Sequence, residues 1–131
     1  MTASVLFGNH VCALTHPGQV PARVTLFTAP DAYEELPEAI DAVDGALGLA
    51  RTGAARLLVV ISDGAYAHRG RSHGQARIDR LRRAGCGVLW LAPARGGSWP
   101  LTGTTVETLT DPTTTACAIA RAAVAALHAA Q

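Results

Sequence analysis

The sequence predicts an α/β fold: a mostly parallel sheet with helices on both faces and an antiparallel edge hairpin. Three observations carry this. Two continuous apolar runs, Leu57 to Ile61 and Val88 to Leu91, read as strands buried on both faces, as parallel strands between helix layers do. Segments with helical periodicity precede, separate and follow them, joined by short connections, which is the α/β pattern. Near the amino end, a Gly8-Asn9 pair between two short apolar segments reads as a hairpin turn.

In chain order, Ser4 to Phe7 and Val11 to Leu14 are the hairpin strands, and residues 15–22, with Pro17, Gly18 and Pro21, are loop. Val24 to Phe27 is too short to assign as strand or helical turn. Leu36 to Arg51 is the clearest helix. Leu36, Ile40, Val43, Leu47 and Ala50 draw one apolar stripe, Pro37 suits a first turn, acids crowd the start, and Gly53 is a plausible stop. After the Leu57 strand, a polar loop from Gly64 to Gly74 leads to a helix from about Gln75 to Arg83. Gly85 ends that helix and the Val88 strand follows. Residues 92–103, with Pro93, Gly96, Gly97 and Pro100, are loop, and Thr104 to Leu109 is a β-branched third strand. Asp111-Pro112 is an N-cap followed by a first-turn proline. Thr113 to Ala130 is then an Ala-rich helix with Cys117, Ala120, Val124 and Leu127 on one stripe.

Composition narrows the function classes. The 131 residues make one domain, 1–131, and 49% hydrophobic content argues against disorder. The apolar runs are too short to span a bilayer, and no basic-then-apolar leader opens the chain. Three widely spaced cysteines, Cys12, Cys86 and Cys117, fit neither a disulfide framework nor a zinc cluster. They are expected to be reduced and mostly buried, which points to the cytoplasm. The net charge of +1 gives no global field to recruit nucleic acid or an anionic membrane. Six of the ten acids nevertheless fall between Asp31 and Asp44, and six of the eleven bases, all arginine, fall between Arg69 and Arg83.

The Leu57 run ends in Ser62-Asp63-Gly64. In open parallel sheets, ligands gather outside the carboxyl ends of the strands, which is where this acid stands. Asp63 is therefore read either as a carboxylate aimed at a metal or polar ligand, or as an Asp that caps the next loop through its own backbone. His68, Arg69, Arg71 and His73 follow on the same rim as candidate partner contacts, and Trp99 in "GGSWP" is a candidate anchor or a lid over the sheet. No aromatic platform interleaves with the arginines, which disfavours nucleic acid. The acidic helix could instead meet the basic strip across a dimer. No nucleophile–base pair and no phosphate loop is found.

Four segments in order, "SVLFGNHVCALT", "EELPEAIDAVDGAL", "RLLVVISDG" and "RIDRLRRAGCGVLWLAP", resemble the von Willebrand factor A (VWA) domain family of the bacterial intracellular sort. The resemblance covers nearly the whole chain, and Ser62-Asp63-Gly64 is its most specific part. It implies a partial, Rossmann-like VWA fold in which Asp63 is a ligand of a metal-ion-dependent adhesion site. The chain departs from the family where the site should begin. It lacks the Asp-x-Ser-x-Ser loop and the strand before it, and Tyr33-Glu34 stands where a Thr ligand is usual. One carboxylate of the set remains, so the expected cofactor is none, with weak Mg²⁺ only where a partner completes the shell. The missing strand, which makes the chain the C-terminal portion of the family fold, should also leave a sheet edge unpaired, to be closed by the rest of a longer protein, by another subunit or by the hairpin.

The expected function is a non-enzymatic protein-interaction module with a degenerate site. Its partner would be a protein, either a second copy of the chain or, as the resemblance implies, an ATPase system of the AAA type. The alternative is a small-ligand binder or hydrolytic enzyme using the strand-end crevice around Asp63.

Overall fold

The computed structural model describes residues 1–19 and 35–130, the side chains of residues 112–114 excepted. The segment around Val24 and the Tyr33-Glu34 pair lie outside the described residues. Strand β1 (Ser4–Phe7) and β2 (Val11–Thr15) form the hairpin; α1 (Leu36–Leu47), β3 (Leu57–Ile61), α2 (His68–Arg83), β4 (Gly87–Pro93), β5 (Thr105–Leu109) and α3 (Pro112–His128) follow. The α/β class is as the apolar runs predict.

Strand β4 is the centre of a parallel sheet ordered β3-β4-β5, with Leu57 beside Gly87 at one end and Ile61 beside Leu91 at the other. Its residues are buried on both faces, and Trp90 and Leu89 are 0% exposed. On one face Leu58, Val60, Val88 and Trp90 pack with Ile78 and Leu81 of α2 and Leu36 and Ile40 of α1. On the other, Leu89 and Leu91 pack with Ala122 and Ala126 of α3. Helices therefore cover both faces.

Several expectations are corrected. The hairpin is its own two-stranded sheet among the described residues, not an edge of the parallel one. Val5 and Phe7 pack against the core on the α1 side, and the Gly8 carbonyl accepts the Glu35 N–H at 2.9 Å, so the hairpin is seated on the helix layer. The outer edge of β3 is left unpaired among the described residues. Helix α1 stops at Gly48, not Gly53, because Gly48 takes the left-handed conformation (φ 66°) and its N–H bonds the Asp44 carbonyl at 2.7 Å.

Helix α2 begins at His68, well before Gln75. One of the glycines that suggested a loop, Gly74, is where the helix crosses its neighbours: a Cβ there would lie 3.0 Å from Leu36 and 3.4 Å from Leu101. The buried face of α3 is Ala122 and Ala126, flanked by Ile119 and Ala123, whereas Cys117, Ala120 and Val124 face outward. Among alanines, hydropathy gives little contrast between faces, and the small residues let the helix lie close to the sheet. Cys12 and Cys117 are likewise exposed, and only Cys86 is buried.

The β4–β5 connection is a strap laid along α2. Leu101 is buried in the core, and Gln75 pairs reciprocally with Thr102: its Nε2 donates to the carbonyl at 3.1 Å and its Oε1 accepts the N–H at 2.9 Å. Among the described residues, no helix is long and apolar enough to cross a membrane.

Candidate functional site at the carboxyl-end rim

The chain leaves β3 through Ser62, whose hydroxyl is buried. Ser62 Oγ accepts the Gly64 N–H at 3.0 Å and lies 2.8 Å from the Tyr66 hydroxyl, which donates to it. The Ser62 carbonyl accepts the Trp90 indole N–H at 2.8 Å, and Tyr66 stands edge-on to Trp90 with ring centroids 6.2 Å apart. This network ties the exit loop to the central strand. Gly64 permits it: its φ is +77°, and a Cβ there would sit 2.2 Å from the Trp99 carbonyl oxygen.

Asp63 is half-buried at the end of β3. Its Oδ1 accepts the Ala65 N–H at 3.0 Å, the loop-capping geometry of an Asx turn. Its carbonyl accepts the Trp99 N–H at 2.7 Å, which brings the two loops of the rim together. Trp99 is 54% exposed, and its ring lies along Gly97. Its backbone is held from the other side by Arg71, whose guanidinium donates to the Trp99 carbonyl at 2.8 Å, the Pro100 carbonyl at 3.0 Å and the Gly64 carbonyl at 3.4 Å.

The structure thus brings Asp63, Trp99 and Arg71 together. Arg71 is not a free contact residue, since its donors hold the rim's own carbonyls. His68 and Arg69 are exposed in the first turn of α2, and His73 is exposed further along that helix, not in a loop. Two of the arginines beyond them, Arg77 and Arg80, meet acids of α1 within the chain. Arg77 Nη2 lies 2.8 Å from Asp41 Oδ2, and Arg80 Nη2 lies 2.8 Å from Asp44 Oδ2. The hydrogen bond to Asp41 holds the Arg77 guanidinium above its ordinary range.

The donors present among the described residues do not fit Mg²⁺. Among the described residues, no three His, Cys, Asp or Glu side chains gather as a metal-binding group. Asp63 offers one carboxylate, part of it engaged by Ala65, and Ser62 Oγ is engaged by Gly64 and Tyr66. An octahedral ion with a preference for several oxygen ligands would find too few here.

Sequence reasoning missed the Ser62–Tyr66–Trp90 network and the clamp role of Arg71. The only signal for the first was a Ser directly after an apolar strand with a Tyr four residues on. The second needed the strap's path along α2. A cavity of about 130 Å³ lies at the other end of the sheet, lined by Arg82, Cys86, Gly87 and Ala126 among others. Comparisons with protein-family models, with curated proteins and with solved structures find no match for this chain.

Proposed function

We propose that this chain is a non-enzymatic protein-interaction module, similar to VWA domains, whose contact face is the carboxyl-end rim. The observation that carries the proposal is Trp99. A solvent-facing tryptophan sits on the rim, with its backbone N–H held by the Asp63 carbonyl and its own carbonyl held by Arg71. An aromatic fixed before binding loses little entropy on association, which is what makes such residues anchors in protein interfaces. His68 and Arg69 add cationic and hydrogen-bonding groups at the same rim, and His73 extends the surface along α2. Asp63 is the remnant of a metal shell and takes Mg²⁺ only weakly, when a partner's acid supplies what this chain lacks. The setting is cytoplasmic, in keeping with three free cysteines, and the partner is a protein, with an AAA-type ATPase system as one class.

A photo-reactive amino acid at position 99 is expected to give a discrete protein adduct in the cells that make the chain, and Asp63→Ala should abolish it. The same probe at Thr52, before β3, is the control. No adduct at position 99, or the same adducts from both positions, would overturn the proposal. Mg²⁺ should leave the Tm nearly unchanged; a rise of several degrees that vanishes in Asp63→Ala contradicts the degenerate site.

A further inference from the structure

The outer edge of β3 has an orientation that can be read from its bonds to β4. The Ser62 N–H bonds the Leu91 carbonyl at 3.3 Å, and the Arg56 carbonyl accepts the Gly87 N–H at 2.9 Å. In a parallel ladder a residue directs both backbone groups to the same side, so the even-numbered residues serve β4. Leu57, Val59 and Ile61 therefore turn their N–H and C=O groups to the edge that is unpaired among the described residues. Their side chains share the face that carries α3, yet α3 leaves two of them bare: Val59 is 43% exposed and Ile61 62%. Natural edge strands are blunted by charge, proline or a bulge. Leu57–Ile61 has no charged residue and no proline, and its pairing with β4 is regular throughout.

We propose that this edge pairs with the same edge of a second copy, antiparallel, across a twofold axis through Val59. Val59 then faces Val59 of the other copy, and Leu57 faces Ile61. All the residues whose backbone groups point outward meet one another, giving about six hydrogen bonds and one continuous six-stranded sheet. A register centred on Val60 would instead require the Asp63 carbonyl, which already accepts from Trp99. Leu57, Val59 and Ile61 of the two copies make one apolar strip between the two α3 helices. The ends of the strand are complementary in charge. Arg56 stands at the amino end, with its guanidinium donating to the carbonyls of Ala54, Leu49 and Ala84 and in no ion pair among the described residues. Asp63 stands at the carboxyl end. Antiparallel pairing sets each acid near the other copy's arginine, whereas parallel pairing sets like beside like. The net charge of +1 per chain adds little repulsion.

The inference deepens the proposed function by naming a self partner, but it uses the strand edge and not the rim. The test is sedimentation equilibrium of the purified full chain. Wild type and Trp99→Ala should both be dimers. Val59→Lys and Val59→Asp should each be folded monomers, because like charges then face each other across the axis, and mixing the two should restore a dimer. A misfolded variant could not be rescued in that way. Ile61→Lys is the second variant, expected to weaken the dimer through the exposed end of the strip. A wild-type monomer at every concentration, a dimer unaffected by Val59→Lys, or a mixture that stays monomeric overturns the inference. So does slow hydrogen exchange of the Val59 and Ile61 amides in a monomer, which would mean that the edge is covered within one chain. A monomer that keeps the position-99 adduct refutes only the dimer, and a dimer lacking that adduct refutes only the rim.

Discussion

Arg71 shows how one side chain can decide whether a rim is ordered. Its guanidinium reaches two carbonyls on the strap and one on the loop after β3. Charged donors of this kind are worth about 1.5–3 kcal/mol when their acceptors are otherwise unsatisfied. Partial exposure here lowers that, so Arg71→Ala should cost about 1–2 kcal/mol in urea unfolding. Arg71→Lys should recover only part, because a point charge cannot span the carbonyls that a planar fork reaches. The sequence identified Arg71 as near the rim but not as one of its supports, since the strap's approach is a long-range fact. It identified Asp63 well, since a strand end followed by Asp-Gly is local. A second residue carries a pH prediction. Burial pushes the Cys86 thiol above its ordinary value in the folded chain. The unfolded thiol therefore loses its proton first as pH rises, and folding stability, intact at neutral pH, falls once pH passes about 8.5. Urea midpoints at pH 8 and pH 10 should show that fall, and Cys86→Ala should flatten it.

Among the elements, α2 and α3 separate what patterning reveals from what it hides. Helix α2 docks through Ile78 and Leu81, both 0% exposed, and its ion pairs with α1 sit at the surface. Ile78→Ala should cost about 2–5 kcal/mol. Asp41→Asn should cost less than about 1 kcal/mol and lose its effect in high salt. The apolar side of α2 was legible from Ile78 and Leu81, but its start was not. Gly70 and Gly74 lower helix propensity, and the close crossing with Leu36 is made at Gly74, where a side chain would crowd it. In α3 the helix itself was plain and its orientation was not, because Ala outnumbers every other residue on it. The corrected orientation is testable by a pair of substitutions. Ala126→Leu, at a position 2% exposed against β4, should cost about 1–3 kcal/mol through overpacking. Val124→Asp, at a position 53% exposed, should shift stability by no more than about 0.5 kcal/mol.

At the scale of the whole molecule, the two sheets should differ in how they open. Strand β4 is buried on both faces and paired on both edges, so its amides can exchange only when the core is lost. The β1–β2 hairpin has no hydrogen-bonded link to that sheet among the described residues. It is held by Val5 and Phe7 against the helix layer and by the Gly8–Glu35 bond, and its other face is solvated. The sequence indicated a hairpin but attached it to the sheet's edge, because strand periodicity specifies a pairing partner only when the turn does; the longer-range choice between sheet and helix rests on contacts. Native-state hydrogen exchange should therefore separate the amides into two groups. Those of β4 should exchange with the free energy of global unfolding and respond to denaturant with the full m-value. Those of β1 and β2 should open at lower cost with a small m-value, and Phe7→Ala should accelerate them while leaving the α3 and β4 amides far less affected. A hairpin that exchanges in step with β4, with the same denaturant dependence, would mean that the two sheets open as one cooperative unit.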